Sequence, residues 1–156
     1  MIRVDIPGYR PLALTHLVMD YNGTLAVDGQ LESGAREALE RLAPRLDIHV
    51  VTADTFGLAA EQLKGAPVQL SILPPGDQDV AKRDYVDRLG CAATVAVGNG
   101  RNDRLMLAAA EVGIAVLLRE GAAAGTLAAA DIVCPGIVPA LELLLHPLRL
   151  TATLRS

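Results

Sequence analysis

Four short segments of this 156-residue chain carry residue types able to move a phosphoryl group. The first, Asp20-Tyr21-Asn22-Gly23-Thr24-Leu25, follows the apolar run Leu17-Val18-Met19. A carboxylate at the C-terminal lip of a buried strand projects from a fixed edge, and a Gly-Thr turn lets backbone N–H groups approach an anion. The others are Thr52-Ala53-Asp54, the single residue Lys82, and Gly98-Asn99-Gly100-Arg101-Asn102-Asp103. A phosphate monoester needs a nucleophile, neutralisation of charge, and donors to the oxygens on which charge develops. Asp20 is the candidate nucleophile. Thr52 offers a hydroxyl donor and Lys82 a compact positive charge, and Gly23, Thr24 and Ala53 complete the candidate phosphate-binding set. Mg²⁺ takes oxygen ligands, here Asp20, a backbone carbonyl near Asn22, Asn99 and Asp103, with water filling the octahedron. The one other lysine, Lys64, falls at the far end of its helix.

The elements that must position these residues follow from pattern. Ile2–Ile6 and Leu12–Met19 flank the turn-rich Pro7–Pro11 and predict a β-hairpin. Leu25–Val27 and Gln30-Leu31 flank Asp28-Gly29, a favoured two-residue turn, and predict a small flap beside Asp20. Ser33 is a candidate N-cap for a helix ending at Pro44, and Thr55 for one stopping at Gly65. Asp77 opens a third helix to about Leu89, and helices are expected from Arg101 or Asn102 to Ala110, over Gly121–Ala130 and over Val138–Leu145. Strands are expected at Ile48–Val51, Val68–Leu73, Thr94–Val97, Ile114–Leu118 and Ile132–Cys134. Strands alternating with helices predict an α/β fold, a doubly wound, Rossmann-like parallel sheet in one domain over 1–156. In such a sheet ligands bind at the carboxyl ends of the strands.

The order DxxGT(L), strand-terminal Thr, Lys, then GxGxxD resembles the haloacid dehalogenase-like (HAD) phosphohydrolase superfamily over residues 14 to 135. Thr52-Ala53-Asp54 is similar to the Thr-Gly-Asp of P-type ATPases, and Gly98–Asp103 to their Gly-Asp-Gly-x-Asn-Asp, which points to a soluble, P-type-ATPase-like branch. The resemblance implies Mg²⁺-dependent hydrolysis of a small phosphorylated metabolite through an aspartyl-phosphate. Three departures bear on it. Asn22 stands where such phosphatases carry a second aspartate, and its amide cannot shuttle a proton. Loss of that group costs about 10²–10⁴-fold, so slow turnover is expected. Asn99 replaces a metal-binding aspartate, which removes one negative charge. No cap or nucleotide-binding domain fits between Leu25 and Thr52 or between Ala53 and Ala81, which excludes ATP-driven transport and resembles capless members whose neighbouring subunit covers the site. A homo-oligomer, dimer or tetramer, is expected. The alternative is a non-catalytic module that binds phosphate or a phospho-ligand.

Composition bounds the rest. Hydrophobic residues make up 51% and aromatics 3%, so the core is built from Ala, Leu, Val and Ile. A net charge of −4 with no basic run and few rings for stacking argues against nucleic acid as a partner. No run reaches the roughly 18 apolar residues of a membrane span. An aspartate interrupts the N-terminal apolar stretch, so no signal peptide is expected and the location is read as cytoplasmic. Cys91 and Cys134 read as small buried hydrophobes. His16, His49 and His146 form no ligand pattern, Arg101 and Arg104 read as a solvated helix face, and Leu148–Ser156 carries no readable chemistry. Gly98-x-Gly100 lacks the third glycine of a dinucleotide fingerprint. A receiver domain is disfavoured because its acidic acceptor ends a later strand.

Overall fold

A computed structural model describes residues 1–156. Its centre is a six-stranded parallel sheet of order β10-β9-β8-β3-β6-β7. The strands are β3 (His16–Met19), β6 (Asp47–Thr52), β7 (Gln69–Ile72), β8 (Thr94–Gly98), β9 (Val112–Val116) and β10 (Ile132–Cys134). From β3 the chain adds β6 and β7 on one side, then crosses back to add β8, β9 and β10 on the other. The reversal falls between β3 and β8, and a doubly wound sheet opens its ligand crevice at that point.

β3, β8 and β9 are buried on both faces, so they read as continuous apolar runs. Alternation divides them. Leu17 and Met19 belong to a cluster of thirty buried residues on one face, with α1 (Ala35–Leu42), α2 (Ala59–Gln62), α6 (Ile137–Leu145) and α7 (Pro147–Leu154). Val18, Val51, Ala96 and Ala115 turn to the other face, where eight buried residues include Val86 of α3 (Gln78–Leu89) and Met106 and Leu107 of α4 (Arg104–Ala109). The small residues there let α3 and α4 lie close to the sheet. α5 (Ala124–Ala129) follows β9.

The predicted fold class holds, with the hairpin β1 (Ile2–Val4) and β2 (Leu12–Leu14), the flap β4 (Ala26–Val27) and β5 (Gln30–Leu31), and no cap domain. Several local expectations are corrected. The run Leu12–Met19 is two strands, parted at Thr15, which serve different sheets. Ser33 does not cap α1, because the chain enters through Gly34 in the left-handed region, φ 83°. Thr55 does not cap α2. The Asp54 carboxylate accepts from the N–H groups of Leu58 and Ala59 at 3.1 and 3.0 Å instead. A short 3₁₀ turn, Arg101–Asp103, precedes α4. The strand placed at Ile114–Leu118 begins two residues earlier, and the helix placed at Gly121–Ala130 shortens to α5. The C-terminal tail is largely helical, because Pro147 occupies a first-turn position where its missing N–H costs nothing. No single helix is long and apolar enough to cross a membrane.

Candidate active site at the strand ends

β3 lies between β8 and β6, so Asp20 stands between the Gly98–Asp103 segment and Thr52. Asp20 follows the last residue of β3, and its N–H donates to Val97 O at 3.1 Å. Lys82, in the second turn of α3, is wholly buried. Its Nζ donates to Asp20 Oδ1 and to Asp103 Oδ1, each at 2.7 Å. Three predicted residues from distant parts of the chain thus meet at one ammonium group.

Burial sets the electrostatics. Desolvation, then the neighbouring Asp103, push the Asp20 carboxyl up to about 7, against the opposing pull of Lys82. Burial also works against the Lys82 ammonium, but Asp103 and Asp20 outweigh it and hold the lysine above its ordinary value.

Asp103 also builds the loop it belongs to. Its Oδ2 accepts from the N–H groups of Asn99 and Gly100 at 2.9 and 2.8 Å. A Cβ at position 98 would lie 2.6 Å from the Asp103 side chain, so the segment needs glycine there. On the other side, Thr24 donates to Asn99 Oδ1 at 3.2 Å, and Asn99 Nδ2 donates to Gly121 O at 2.9 Å. Gly23 has φ 76°, and a Cβ on it would come within 2.3 Å of the Asn99 amide. The DxxGT turn and the GxGxxD loop are therefore fitted directly against each other.

Thr52 is buried at the end of β6, and its Oγ1 accepts from Asp54 N–H at 3.0 Å. That bond leaves the hydroxyl hydrogen free for another acceptor. Asp54 is left-handed, φ 51°, a conformation fixed by its own bonds to α2. Ala53 lies between them with no side-chain chemistry. Asn22 Oδ1 is buried with no hydrogen-bond partner.

Residues that the sequence reading passed over also hold this end of the sheet. The buried Tyr21 hydroxyl donates to Gly29 O at 2.8 Å, which ties the flap tip to the residue after Asp20. Burial, then Asp54, push that phenol up to about 12. Asp28 N–H donates to Glu120 Oε1 at 3.2 Å, and buried Thr126 donates to Gly100 O at 2.7 Å. Tyr21 was hidden because an aromatic in that slot reads as core. Thr126 was hidden because an alanine-rich helix gives no polar pattern.

The donors available to a metal are oxygens. No three imidazole, thiol or carboxylate side chains converge. Asp20 and Asp103 supply two carboxylates, and the unpartnered Asn22 oxygen is a buried acceptor with nothing to satisfy it. Asn99 keeps one lone pair beyond its bond from Thr24. An all-oxygen set of this kind fits a hard divalent cation.

Two proteins of Methanocaldococcus jannaschii share sequence with the chain. Uncharacterized protein MJ0073 is 49% identical over 62 residues, 40% of this chain and 67% of that one. Uncharacterized protein MJ0072 is 41% identical over 42 residues, 27% of this chain and 96% of that one. The chain belongs to their family. No protein-family model matches it. Among solved structures, a 3-deoxy-D-manno-octulosonate (KDO) 8-phosphate phosphatase from Moraxella catarrhalis, in complex with magnesium, phosphate and KDO, superposes with a TM-score of 0.70 at 18% identity, over 85% of this chain and 86% of that one. The cobalt-bound YrbI phosphatase of Haemophilus influenzae gives 0.72 at 14%, over 92% and 94%. A putative subfamily III A HAD hydrolase of Legionella pneumophila gives 0.72 at 15%, over 90% and 87%. This member of their family has the fold of the HAD superfamily.

Proposed function

We propose that the chain is a divalent-metal-dependent phosphohydrolase of the HAD type, acting on a small phosphorylated metabolite such as a sugar phosphate. The observation that carries this reading is the single buried lysine bonded to both carboxylates at the switch point of the sheet. Two of the solved neighbours of the same fold are KDO 8-phosphate phosphatases, one of them holding magnesium and phosphate.

In this reading an Asp20 oxygen attacks phosphorus, the bond from phosphorus to the leaving alcohol oxygen breaks, and the alkoxide takes a proton from water. Water then attacks the phosphorus of the aspartyl-phosphate, releasing phosphate and regenerating the carboxylate. Lys82 and the free hydroxyl hydrogen of Thr52 bind the phosphoryl oxygens, with backbone N–H groups of Gly23, Thr24 and Ala53 around them. Asp20, Asn22, Asn99 and Asp103 would hold the metal. When bound, Mg²⁺ would neutralise phosphate charge and orient the group for in-line attack. Asn22 cannot act as a proton shuttle, so leaving-group protonation is left to water and turnover is slow. The Thr52-Ala53-Asp54 segment aligns the chain with the P-type-ATPase-like branch. A homo-oligomer, dimer or tetramer, would cover Phe56 and Ile72, about half exposed beside the flap and on the edge strand.

The test is phosphate release from a panel of phosphorylated metabolites with and without Mg²⁺, for the wild type and Asp20→Asn. Mg²⁺-dependent release that disappears in the variant supports the proposal. Equal activity without metal, or an active variant, overturns it. The two amides at Asn22 and Asn99 favour a second reading, a phospho-ligand binding module. It gains if phosphate binds but Asn22→Asp produces no turnover.

A further inference from the structure

Under α3, away from the strand ends, the sheet carries titratable groups that the proposed chemistry does not use. His16 opens β3 and lies in register with Asp47 of β6, while His49 of β6 lies in register with Val18. Alternation turns all three toward the face covered by α3. His49 is 4% exposed, and its Nδ1 lies 3.0 Å from the Tyr85 hydroxyl of α3. The His16 and His49 ring centroids are 5.6 Å apart. His16 Nδ1 and His49 Nε2 are both buried without a hydrogen-bond partner, with Asp47 Oδ2 3.8 Å from the former. Buried polar atoms are almost always satisfied, so two unpaired ring nitrogens in adjacent side chains require an account.

Tyr85 follows Lys82 by three residues, so both project from the same side of α3. Together with Val86 it seats this part of the helix on the sheet. The hydroxyl of Tyr85 thereby links His49 to the segment that fixes Lys82 Nζ between Asp20 and Asp103.

We propose that buried His49, flanked by the half-buried His16 and joined through Tyr85 to α3, is an acid-sensitive support that positions Lys82. This rests on the reading of Lys82 as the phosphoryl-binding cation. With His49 neutral, one ring nitrogen engages Tyr85. A proton on His49 creates a buried imidazolium with no acceptor on its second nitrogen. The charged and titratable groups around it are few. His16 on β3 opposes the charge, and Arg88 on α3 stacks 5.4 Å over the Tyr85 ring. Asp47 on β6 favours it, but its side chain is 69% exposed and well solvated. Gln69 of β7 and Thr94 of β8, in register with His49 and His16, do not titrate. Burial first, then His16, hold His49 below its ordinary value, with Asp47 pulling the other way. A base held down in this way contributes stability that is complete above the unfolded value of about 6.5 and is lost as the pH falls through the folded one. Proton uptake thus loosens the seating of α3 and releases Lys82 from its two carboxylates.

The test is an NMR titration from about pH 8 to about pH 5 without metal, following the His49 ring and the Lys82 backbone amide. It is run in an Asp20→Asn background so that no carboxyl beside Lys82 titrates at residue 20. The Lys82 amide is expected to shift with the His49 midpoint. His49→Asn, whose amide can still reach Tyr85 but cannot charge, should abolish that shift. Tyr85→Phe should leave His49 titrating while the Lys82 response is lost. An unchanged Lys82 response in both variants overturns the proposal, as does a His49 titration that the Lys82 amide ignores. If His49→Asn does not fold, the Tyr85→Phe arm decides. These readouts need no turnover, so they stand apart from the phosphatase reading.

Discussion

Replacing Lys82 with methionine isolates the central interaction of the site. The two side chains are similar in length, so packing is largely kept while the ammonium is removed. Lys82 is fully buried and sits 2.7 Å from each of two buried carboxylates. Removing one partner of a buried ion pair costs about 3–5 kcal/mol, because the remaining charge stays desolvated and unpaired. For a chain of this size each kcal/mol shifts Tm by roughly 2–4 °C, so a fall of roughly 6–20 °C is expected in EDTA. A divalent cation can then take the place of the missing charge. Mg²⁺ at about 100 times its Kd would return about 2.7 kcal/mol. The stabilisation by Mg²⁺ should therefore be larger in Lys82→Met than in the wild type, where the lysine competes for the same oxygens. Turnover should drop about 10²–10³-fold even with the metal bound, since the phosphoryl group loses a preorganised cation. Urea denaturation in EDTA and in Mg²⁺, followed by circular dichroism, measures the first two effects, and phosphate release the third. A variant within about 0.5 kcal/mol of wild type in EDTA, the range of an ordinary surface change, would refute the reasoning. So would a variant no more responsive to Mg²⁺ than wild type.

Asn22→Asp should raise phosphate release by about 10²–10⁴-fold in steady-state assays, by restoring an acid and base beside the nucleophile. Gly23→Ala forces a side chain into the Asn99 amide at a left-handed position. A loss of about 1–3 kcal/mol in denaturant unfolding is expected, with activity lost alongside it. Asp54→Ala removes the acceptor that serves Leu58 and Ala59 N–H. It should cost about 0.5–2 kcal/mol by the same measurement, with Asp54→Asn recovering most of it.

What could be read from sequence divides along a physical line. The sheet was legible because doubly buried parallel strands must be continuously apolar, and Leu17–Met19 and Val95–Val97 are short apolar runs of that kind. The grouping of Asp20, Lys82 and Asp103 was legible because strand order brings the ends of β3 and β8 together whatever the loops do. Helix starts were less legible. Ser33 and Thr55 have good capping side chains, but Gly34 and Asp54 take the turns through left-handed conformations that residue type alone does not reveal. The supporting contacts were hidden most fully. Tyr21 to Gly29, Thr126 to Gly100 and Asn99 to Gly121 each use a backbone carbonyl as acceptor, and no sequence pattern marks a carbonyl.

The last of these contacts changes how Asn99 is understood. A carbonyl oxygen can only accept, so the contact with Gly121 O fixes the amide with its Nδ2 toward Gly121 and its oxygen toward Thr24. A carboxylate at position 99 would set an anionic oxygen against that carbonyl and lose the bond. The asparagine is thus matched to its surroundings, and it couples the DxxGT turn, the GxGxxD loop and the segment before α5 through one side chain. Its neutrality has a second consequence. Aspartates at 22 and 99 would join Asp20 and Asp103 as four carboxylates against a single lysine. With amides at both positions, two carboxylates face that lysine, and both touch it. One ammonium can hold the site together without a metal because the residual negative charge is small. The same reduction weakens the attraction for a divalent cation. In the proposed phosphatase reading, proton shuttling and metal affinity are therefore lowered together, by two amides of the same chemical kind, while Asp20, Thr52 and Lys82 keep the groups that reading assigns to attack and phosphate binding.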